Sequence, residues 1–295
     1  MTGTAQEGRP VVIVGASGGV GGHLLREFDR TGPVIGTYLR HPIPGGVQLD
    51  ASDGSAVAGF LREVRPRAVV LAAADADVDR CEREPTQSRR ANVVVPGVLA
   101  NACAAERVRL AHLSTDYVFD GLGGPYAETD RTGPVNVYGA HKLAGEKLVL
   151  ASDATGLVLR TSVVYGGAQP GAVDYIVREL SARRRLALSA EQLQTPTHAT
   201  DLARGISMLL KRESGGLYHL AGPETITRFE LGRAVARTFG LAETSLGRSV
   251  PHSEPDRAPR PVRCGLKIDL AAHDCGYQPM SLADGLEKFR RDLTA

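Results

Sequence analysis

Along the first 160 residues, short apolar runs alternate with segments in which apolar residues recur at helical spacing. The runs lack the apolar-polar alternation of a half-buried strand, which is typical of parallel strands covered on both faces. The predicted strands cover residues 11–14, 34–39, 68–73 and 109–114, and the predicted helices cover residues 23–28, 56–64 and 92–107. This order predicts an α/β fold built on a doubly wound parallel sheet of Rossmann type.

Beyond residue 165 the pattern is less regular, which indicates a second, smaller unit. The predicted features there are a loop at 166–171, a helix at 174–185, a strand at 215–220 and a basic, proline-rich extended segment at 251–263. We therefore expect a nucleotide-binding Rossmann domain over residues 1–165, to which a later strand and helix return around 198–222. Residues 166–295 are expected to form mainly a smaller C-terminal lobe that binds substrate.

A glycine-rich turn joins the first predicted strand to the first predicted helix, with the sequence Gly15-Ala-Ser17-Gly18-Gly-Val-Gly21. In this context Gly15 permits the tight turn, Gly18 lets the backbone approach a pyrophosphate, and Gly21 lets the helix pack on the strand. Backbone N–H groups at the start of the helix then face the anion. The turn predicts a dinucleotide site in which Gly15, Ser17, Gly18 and Gly21 surround the phosphates.

The end of the second predicted strand indicates which dinucleotide is bound. A site for NAD carries Asp or Glu there to accept from the ribose hydroxyl, whereas this strand ends in Thr37-Tyr-Leu-Arg40-His41 without an acid. A carboxylate would repel a 2'-phosphate, and the planar guanidinium of Arg40 offers it a cationic partner. We predict NADPH as the cofactor, with Arg40 at the 2'-phosphate and Asp50 on the adenine side. The alternative is that Arg40 is a solvated surface charge.

Tyr138-Gly-Ala-His-Lys142 places a tyrosine and a lysine four residues apart at the start of an evident helix. Such residues share a helix face, so we expect the ammonium to lie beside the phenol. A nearby cation stabilises the phenolate and lowers the tyrosine pKa, which prepares the group for acid-base work near neutral pH. Tyr138 is therefore a candidate proton donor, and Lys142 a candidate to tune it and to hold the nicotinamide ribose.

Thr115 directly follows the predicted strand at 109–114. In a doubly wound sheet, ligands bind at the carboxyl ends of the strands. Thr115 is therefore a candidate to hydrogen-bond a substrate carbonyl beside Tyr138. The alternative for a threonine in this place is the capping of a turn or helix.

Composition and charge exclude several classes of protein. The 35 basic and 33 acidic side chains give a net charge of +2, which is too small for bulk attraction to nucleic acid. There is no apolar run long enough to span a membrane, and the amino terminus lacks the apolar segment of a signal peptide. The four cysteines show no zinc-like or disulfide-rich spacing, so we expect a cytoplasmic protein with reduced thiols and no metal. The oligomeric state is left open between a monomer and a homodimer.

Several segments spread over nearly the whole chain combine into a recognisable set. They are GASGGVGGH, VDRCE (78–82), STDYVFDG (114–121), NVYGAHKLAGE (136–146), LRTSVVYG (159–166), TPTHATDLA (195–203) and GLYHLAG (216–222). Together they resemble the extended short-chain dehydrogenase/reductases, and within them the dTDP-4-dehydrorhamnose reductase family. The resemblance implies an NADPH-dependent ketone reduction with Thr115, Tyr138 and Lys142 in the catalytic positions, and Ala72 and Ala73 beside the cofactor.

The resemblance also implies a substrate, namely a dTDP-activated 4-keto-6-deoxy sugar. Asp116 and Val163 are expected at the sugar, although Val163 stands where the family commonly has a tryptophan. The arginines at 257, 260 and 263 lie in the proline-rich segment. Arg257, Arg260 and Arg263 are either partners of the substrate diphosphate or a solvated face.

Two other functions stay open. The first is reduction of a keto sugar without a nucleotide, such as an aminoglycoside-type 4'-oxo intermediate of antibiotic biosynthesis, because Asp75, Asp77 and Asp116 would suit a cationic amino sugar. The second is a non-catalytic NADP-binding regulatory subunit, because the regulatory subunit of methionine adenosyltransferase resembles the same branch. An intact set of Thr115, Tyr138 and Lys142 favours an enzyme over this second alternative.

Overall fold

The computed structural model describes residues 8–152, 156–250 and 257–294. The first six residues of the predicted proline-rich segment, 251–256, lie outside the described residues. The strands are β1 (Val11–Val14), β2 (Val34–Tyr38), β3 (Val47–Gln48), β4 (Ala68–Leu71), β5 (Arg109–Thr115), β6 (Gly156–Thr161), β7 (Val164–Tyr165), β8 (Leu186–Ser189), β9 (Leu193–Gln194), β10 (Thr197–His198), β11 (Gly216–His219), β12 (Ile226–Thr227) and β13 (Leu246–Ser249). The helices are α1 (Gly21–Asp29), α2 (Gly54–Val64), α3 (Val78–Arg83), α4 (Pro85–Arg89), α5 (Val95–Ala105), α6 (Val137–Ala151), α7 (Ala172–Ser181), α8 (Ala199–Lys211), α9 (Arg228–Thr238), α10 (Asp269–Cys275) and α11 (Leu282–Asp292).

The main sheet has seven strands in the order β11-β6-β5-β4-β1-β2-β3, and every pairing within it is parallel. The chain runs outward from β1 through β2 to β3, then returns to β4 on the other side of β1 and continues through β5, β6 and β11. The strand order therefore reverses between β1 and β4. In open parallel sheets, the crevice beyond the carboxyl ends of the strands at such a point is where ligands bind.

Helices cover both faces of this sheet. On one face, α1 and α8 bury Leu24, Phe28 and Ile206 against the strands. On the other, α2 and α5 bury Leu61 and Leu99. Coverage on both faces is why the strands are continuous apolar runs, and β1 and β4 are buried at every position.

The later part of the chain forms a second core and also returns to the sheet. Helices α7, α9 and α11 pack with β8 around a core that includes Val173, Leu231 and Phe289. In contrast, α8 packs against α1, and β11 extends the main sheet beside β6. The C-terminal lobe is thus an elaboration of the Rossmann domain.

Two predicted helices differ from the observed ones. The helix predicted at 92–107 is preceded by a wide π-turn at Arg90–Val94, and the regular helix begins only at Val95. Pro96 has no amide hydrogen and cannot close an ordinary helical turn onto residue 92, which accounts for the irregular entry. The helix predicted at 174–185 ends at Ser181, because Arg183 adopts a left-handed backbone conformation with φ of 56°.

A buried ion pair ties α6 to the centre of the sheet. Glu146 of α6 accepts from Arg160 of β6 through both carboxylate oxygens, at 2.9 and 2.7 Å, and also accepts from the Ser114 hydroxyl of β5. The two charged side chains are 1% and 4% exposed. The Arg160 guanidinium also lies 5.0 Å from the centre of the Phe119 ring. One carboxylate therefore fixes a helix relative to two adjacent strands.

We predict that Glu146→Ala lowers the free energy of unfolding by about 3–5 kcal/mol, because it leaves the buried guanidinium of Arg160 without its counter-charge. Urea unfolding followed by circular dichroism measures this change. Lys147→Ala is the matched control, since Lys147 is the next residue of the same helix and is exposed. Equal unfolding midpoints for the two variants would contradict the prediction.

Candidate active site

The glycine-rich turn lies between the ends of β1 and β4, where the strand order reverses. Gly15 has a φ of +86°, and a side chain there would bring its Cβ to 2.7 Å from Ala73. The amides of Ala72 and Ala73 both donate to the carbonyl of Val14 at 3.0 Å. The structure therefore brings the predicted turn together with Ala72 and Ala73, and the close backbone approach requires glycine at position 15.

The loop after β7 touches this turn from the side of the C-terminal lobe. Ala168 donates its amide hydrogen to the carbonyl of Gly19 at 3.0 Å, and Gln169 Nε2 donates to the carbonyl of Ser17 at 3.2 Å. A side chain at Gly167 would collide with the backbone of Gly19. The predicted phosphate-binding turn and the predicted loop at 166–171 are thus in direct contact, which sequence periodicity gave no means of anticipating.

The two residues predicted at the adenosine half lie beyond the ends of β2 and β3. Arg40 is exposed, and among the described residues it has no ion-pair or hydrogen-bond partner. Asp50 accepts from the amide and the hydroxyl of Ser52, at 2.9 and 2.6 Å, and forms a 2.9 Å ion pair with Arg90. The bonds to Ser52, and to a smaller extent Arg90, hold the pKa of Asp50 below its usual value. Arg40 is therefore free to meet an anion, whereas Asp50 already has partners.

Thr115 and Tyr138 meet at the carboxyl end of β5, as their motifs predict. Thr115 is the last residue of β5 and lies close enough to Tyr138 on α6 to lower the pKa of the phenol, against the larger effect of burial. Both residues are buried, and the Tyr138 ring packs edge-on against Tyr117 with centroids 5.9 Å apart. The Thr115 hydroxyl also accepts from the amide of Tyr117 at 3.2 Å, so the capping alternative for this threonine is realised alongside the contact with Tyr138.

Lys142 is buried, and its ammonium is bonded to groups other than the phenol of Tyr138. Lys142 Nζ donates to the carbonyl of Leu113 at 2.6 Å and lies 3.5 Å from His112 Nε2. Burial raises the pKa of Tyr138 well above its usual value, and Lys142 is not among the groups that shift it. Burial lowers the pKa of Lys142 itself to about 8. Desolvation of the phenol is the dominant effect on its pKa, and the tuning role of Lys142 stays a prediction.

The start of α6, which carries Tyr138, is fixed by contacts that the motif did not indicate. Asn136 caps the helix by accepting from the amide of Gly139 at 2.8 Å, and its own amide group donates to the carbonyl of Pro259 at 2.8 Å. A side chain at Gly139 would collide with the carbonyl of Tyr117. Asn136 thereby joins the catalytic helix to the C-terminal segment. A polar N-cap residue before the helix was the available signal.

Asp116 points into a buried network. Its carboxylate accepts from the Ser162 hydroxyl at 2.6 Å and from the Thr115 hydroxyl at 3.3 Å. Burial raises the pKa of Asp116 to about 6, against the lowering effect of these two hydrogen bonds. Sequence reasoning placed Asp116 at the substrate and missed Ser162, which lies within the LRTSVVYG motif. The role of Asp116 as a substrate contact stays a prediction.

The residues predicted at the diphosphate do not form a row of free cations. Arg260 forms a two-point ion pair with Asp79, at 2.5 and 2.8 Å, and also bonds to Tyr117. Arg257 lies close enough to Asp79 to help lower the pKa of that carboxyl to about 2, mainly an effect of Arg260. Arg263 is exposed. In this structure Arg260 is neither a free partner for a diphosphate nor a solvated charge. Its ion pair with Asp79 holds the C-terminal segment against α3.

Val163 lies next to Ser162 in a strained backbone conformation. Its φ is +39°, which is rare for a β-branched residue, and its carbonyl accepts from the amide of Thr197 at 3.1 Å. The side chain is half-buried and packs against the core of the C-terminal lobe. Strain of this kind is found at ligand sites more than elsewhere. A substrate contact by Val163 stays a prediction.

The carboxylates that favoured an amino sugar are engaged with the protein. Asp75 is buried and forms an ion pair with Arg80 at 2.5 Å. Asp77 caps α3 by accepting from the amide of Arg80 at 2.9 Å. Together with the buried Asp116, all three have protein partners, so they are not free to bind a cationic ligand.

The described residues contain neither a metal-binding cluster nor a membrane-spanning helix. Within residues 8–152, 156–250 and 257–294, no group of three or more His, Cys, Asp or Glu side chains is arranged to hold a metal ion. Over the same part of the chain, no helix has the length and apolar character needed to cross a membrane.

Comparison with known proteins identifies the family. The family model "RmlD substrate binding domain" matches residues 9–295. A dTDP-4-dehydrorhamnose reductase of Mycolicibacterium smegmatis is 35% identical over 92% of this chain and 81% of its own length. Methionine adenosyltransferase 2 subunit beta of Rattus norvegicus is 32% identical over 88% of this chain and 80% of its own length.

A solved structure supports the same assignment. The dTDP-4-dehydrorhamnose reductase of Bacillus anthracis, crystallised in complex with NADP, aligns with a TM-score of 0.88 and 26% identity over 97% of this chain and 99% of its own. The predicted fold class, the predicted family and the predicted reductase class are confirmed. The chain belongs to the RmlD substrate-binding domain family, within the extended short-chain dehydrogenase/reductases related to dTDP-4-dehydrorhamnose reductase.

Proposed function

We propose that this protein is an NADPH-dependent reductase of a dTDP-activated 4-keto-6-deoxy sugar. The observation that carries the proposal is that two buried side chains, Thr115 and Tyr138, lie close enough at the carboxyl end of β5 for Thr115 to influence the pKa of the phenol. Two buried hydroxyls at this edge of the sheet are suited to hydrogen-bond one carbonyl oxygen. The sugar-nucleotide part rests on the relatives named above.

The residues around the glycine turn fit the dinucleotide. A side chain at Gly15 would collide with Ala73, so the turn can pass this close to the end of β4 only because glycine stands there. Gly18 and Gly21 complete the turn, and Arg40 supplies a cation without an acidic neighbour at the end of β2. NADPH supplies a hydride when bound. Gly15, Ser17, Gly18, Gly21, Ala72 and Ala73 would hold it at its phosphates, Arg40 at the 2'-phosphate, and Lys142 at the nicotinamide ribose.

The protein's own groups handle the proton. The burial that raises the pKa of Tyr138 keeps its phenol protonated at neutral pH, so Tyr138 is ready to donate to an alkoxide oxygen as charge develops there. Thr115 is placed to donate a second hydrogen bond to the same oxygen. Lys142 is protonated at pH values below its pKa of about 8, so it carries a positive charge on the same helix as Tyr138. Such preorganised donors act most strongly where water is excluded.

Tyr138→Phe tests the proton donor. We expect kcat to fall by at least about 100-fold, because the variant retains the ring and loses the acid. NADPH oxidation in the presence of dTDP-4-keto-6-deoxy sugar measures kcat, and NADPH fluorescence titration measures cofactor binding, which should not change. Tyr175→Phe, on the exposed face of α7, is the matched control. Wild-type kcat in the Tyr138 variant would eliminate Tyr138 as the donor.

Arg40→Ala tests the cofactor assignment. Loss of a charge-assisted hydrogen bond to the 2'-phosphate should cost about 1.5–3 kcal/mol, which weakens NADPH binding roughly 10- to 100-fold and leaves NADH binding unchanged. Titration of both cofactors measures the ratio of the two affinities. Arg62→Ala removes an exposed arginine of α2 and serves as the control. An unchanged ratio in Arg40→Ala would mean that Arg40 is a solvated charge.

Titration with dTDP tests the nucleotide part of the substrate. Saturable binding at micromolar concentration, measured calorimetrically, is the expected result, because a nucleotide-sugar reductase must hold the diphosphate and base. Failure to bind dTDP while NADPH still binds would contradict this part of the proposal alone. The remaining possibility would be reduction of a keto sugar that carries no nucleotide. Asp75 and Asp77 do not favour a cationic amino sugar for that role, because both already have protein partners.

A second candidate function is a non-catalytic regulatory subunit. It is favoured by the similarity to methionine adenosyltransferase 2 subunit beta, which is comparable in identity and coverage to that of the reductase. The two functions differ in turnover. Stoichiometric NADPH binding without oxidation, across a panel of dTDP-keto and free keto sugars, would favour the regulatory role.

A further inference from the structure

We propose that Asp116 is a positioning residue whose protonation state decides where the single hydrogen of the Thr115 hydroxyl points. The inference is drawn from the buried hydrogen-bond network around Asp116. Its effect on the reaction rests on the proposed reductase activity. Asp116 then acts by orienting the Thr115 hydroxyl, whereas the sequence suggested a direct contact between Asp116 and the substrate.

The Thr115 hydroxyl has one hydrogen and two neighbouring oxygens that could accept it. Its hydroxyl oxygen lies 3.3 Å from Asp116 Oδ1 and also contacts the hydroxyl of Tyr138. A threonine hydroxyl has one hydrogen and cannot donate to both oxygens at once. Its lone pairs also accept from the amide of Tyr117. Whichever oxygen takes the hydrogen determines whether Thr115 is a donor or an acceptor toward Tyr138 and toward a substrate carbonyl.

The ionised form of Asp116 takes that hydrogen. A carboxylate only accepts hydrogen bonds, and Ser162 already donates to Oδ2 at 2.6 Å. Thr115 then donates to Oδ1 and presents only lone pairs to the site. In this state Thr115 can accept from Tyr138 but cannot donate to a carbonyl oxygen.

The protonated form reverses the direction. A neutral carboxyl group has one O–H, which is placed to donate from Oδ1 to the Thr115 oxygen. The Thr115 hydrogen is thereby released toward Tyr138 and the substrate oxygen. Protonated Asp116 therefore corresponds to the arrangement in which Thr115 and Tyr138 both donate to the carbonyl.

The surroundings allow Asp116 to titrate where both states matter. It is 3% exposed, and burial raises its pKa to about 6. The titratable groups that face it are Tyr117 in the adjoining turn, Tyr138 on α6 and Cys264 of the C-terminal segment, with the Arg260 guanidinium behind Tyr117. Burial raises the pKa of each of these tyrosines and of the cysteine, so all three are neutral near pH 6.

The reaction rate should decrease as the pH rises and Asp116 loses its proton. If the protonated form is the active one, kcat should fall about tenfold between about pH 5 and about pH 7 for a group with a pKa of about 6. This range lies below the pKa of Lys142, about 8, so loss of the ammonium does not contribute. Asp116→Asn cannot titrate, and its amide donates to Thr115 as the protonated acid does. Its kcat should be independent of pH over the same range.

A spectroscopic experiment tests the network without any turnover. The C=O stretch of a protonated carboxyl is followed by infrared difference spectroscopy of the full chain between about pH 5 and about pH 7. We expect a band that grows as the pH falls through about 6 and is absent in Asp116→Asn. Ser162→Ala and Thr115→Val each remove a donor that stabilises the carboxylate, so both should move the midpoint of this band to higher pH.

The outcomes separate the two proposals. A midpoint that is the same in Thr115→Val as in the wild type would show that the hydroxyl is not coupled to Asp116, and would overturn the inference even if the enzyme turns over. The same pH limb in wild type and Asp116→Asn would also overturn it. Should Asp116→Asn fail to fold, the shifts in Ser162→Ala and Thr115→Val decide the question. Absence of turnover with every keto sugar contradicts the proposed function and leaves the infrared titration readable.

Discussion

The ion pair between Glu146 and Arg160 is the interaction on which the geometry of the active site depends. It joins α6, which carries Tyr138 and Lys142, to β6, and the bond from Ser114 adds β5, which ends in Thr115. The two hydroxyls that meet at the site come from different elements, and this carboxylate sets the distance between those elements. Its burial makes it costly to break, because either partner alone would be an uncompensated charge.

The same construction explains why the catalytic groups have unusual acid-base properties. Packing α6 onto the sheet removes Tyr138, Lys142 and Asp116 from water, which disfavours the charged form of each. A motif on a helical wheel predicts only that a tyrosine and a lysine are neighbours. How their pKa values respond depends on what each group bonds to, and Lys142 bonds to the backbone of β5.

Much of the fold follows from local sequence signals. The strands of the sheet are apolar runs, and the glycine turn between β1 and α1 is contiguous in sequence, so both were predictable. The contacts that were missed join residues far apart in the chain, such as Arg260 with Asp79 and Asp116 with Ser162. An arginine in a proline-rich segment looks the same in sequence whether it meets a phosphate, water or a carboxylate. In the folded protein, the position of α3 brings Asp79 to Arg260 and so determines the partner of this arginine.

Contacts set by the backbone and contacts between side chains lie in different parts of the candidate site. The glycine turn is held by backbone geometry, as at Gly15 against Ala73, where a side chain would collide. The C-terminal segment is held by the side-chain pair of Arg260 with Asp79, and Val163 has a strained backbone. The pair of Arg260 with Asp79 involves no strand of the main sheet, so it can be exchanged without disturbing the sheet. A protein of this family can therefore keep the turn, Thr115, Tyr138 and Lys142 while the side-chain pairs of its C-terminal segment change.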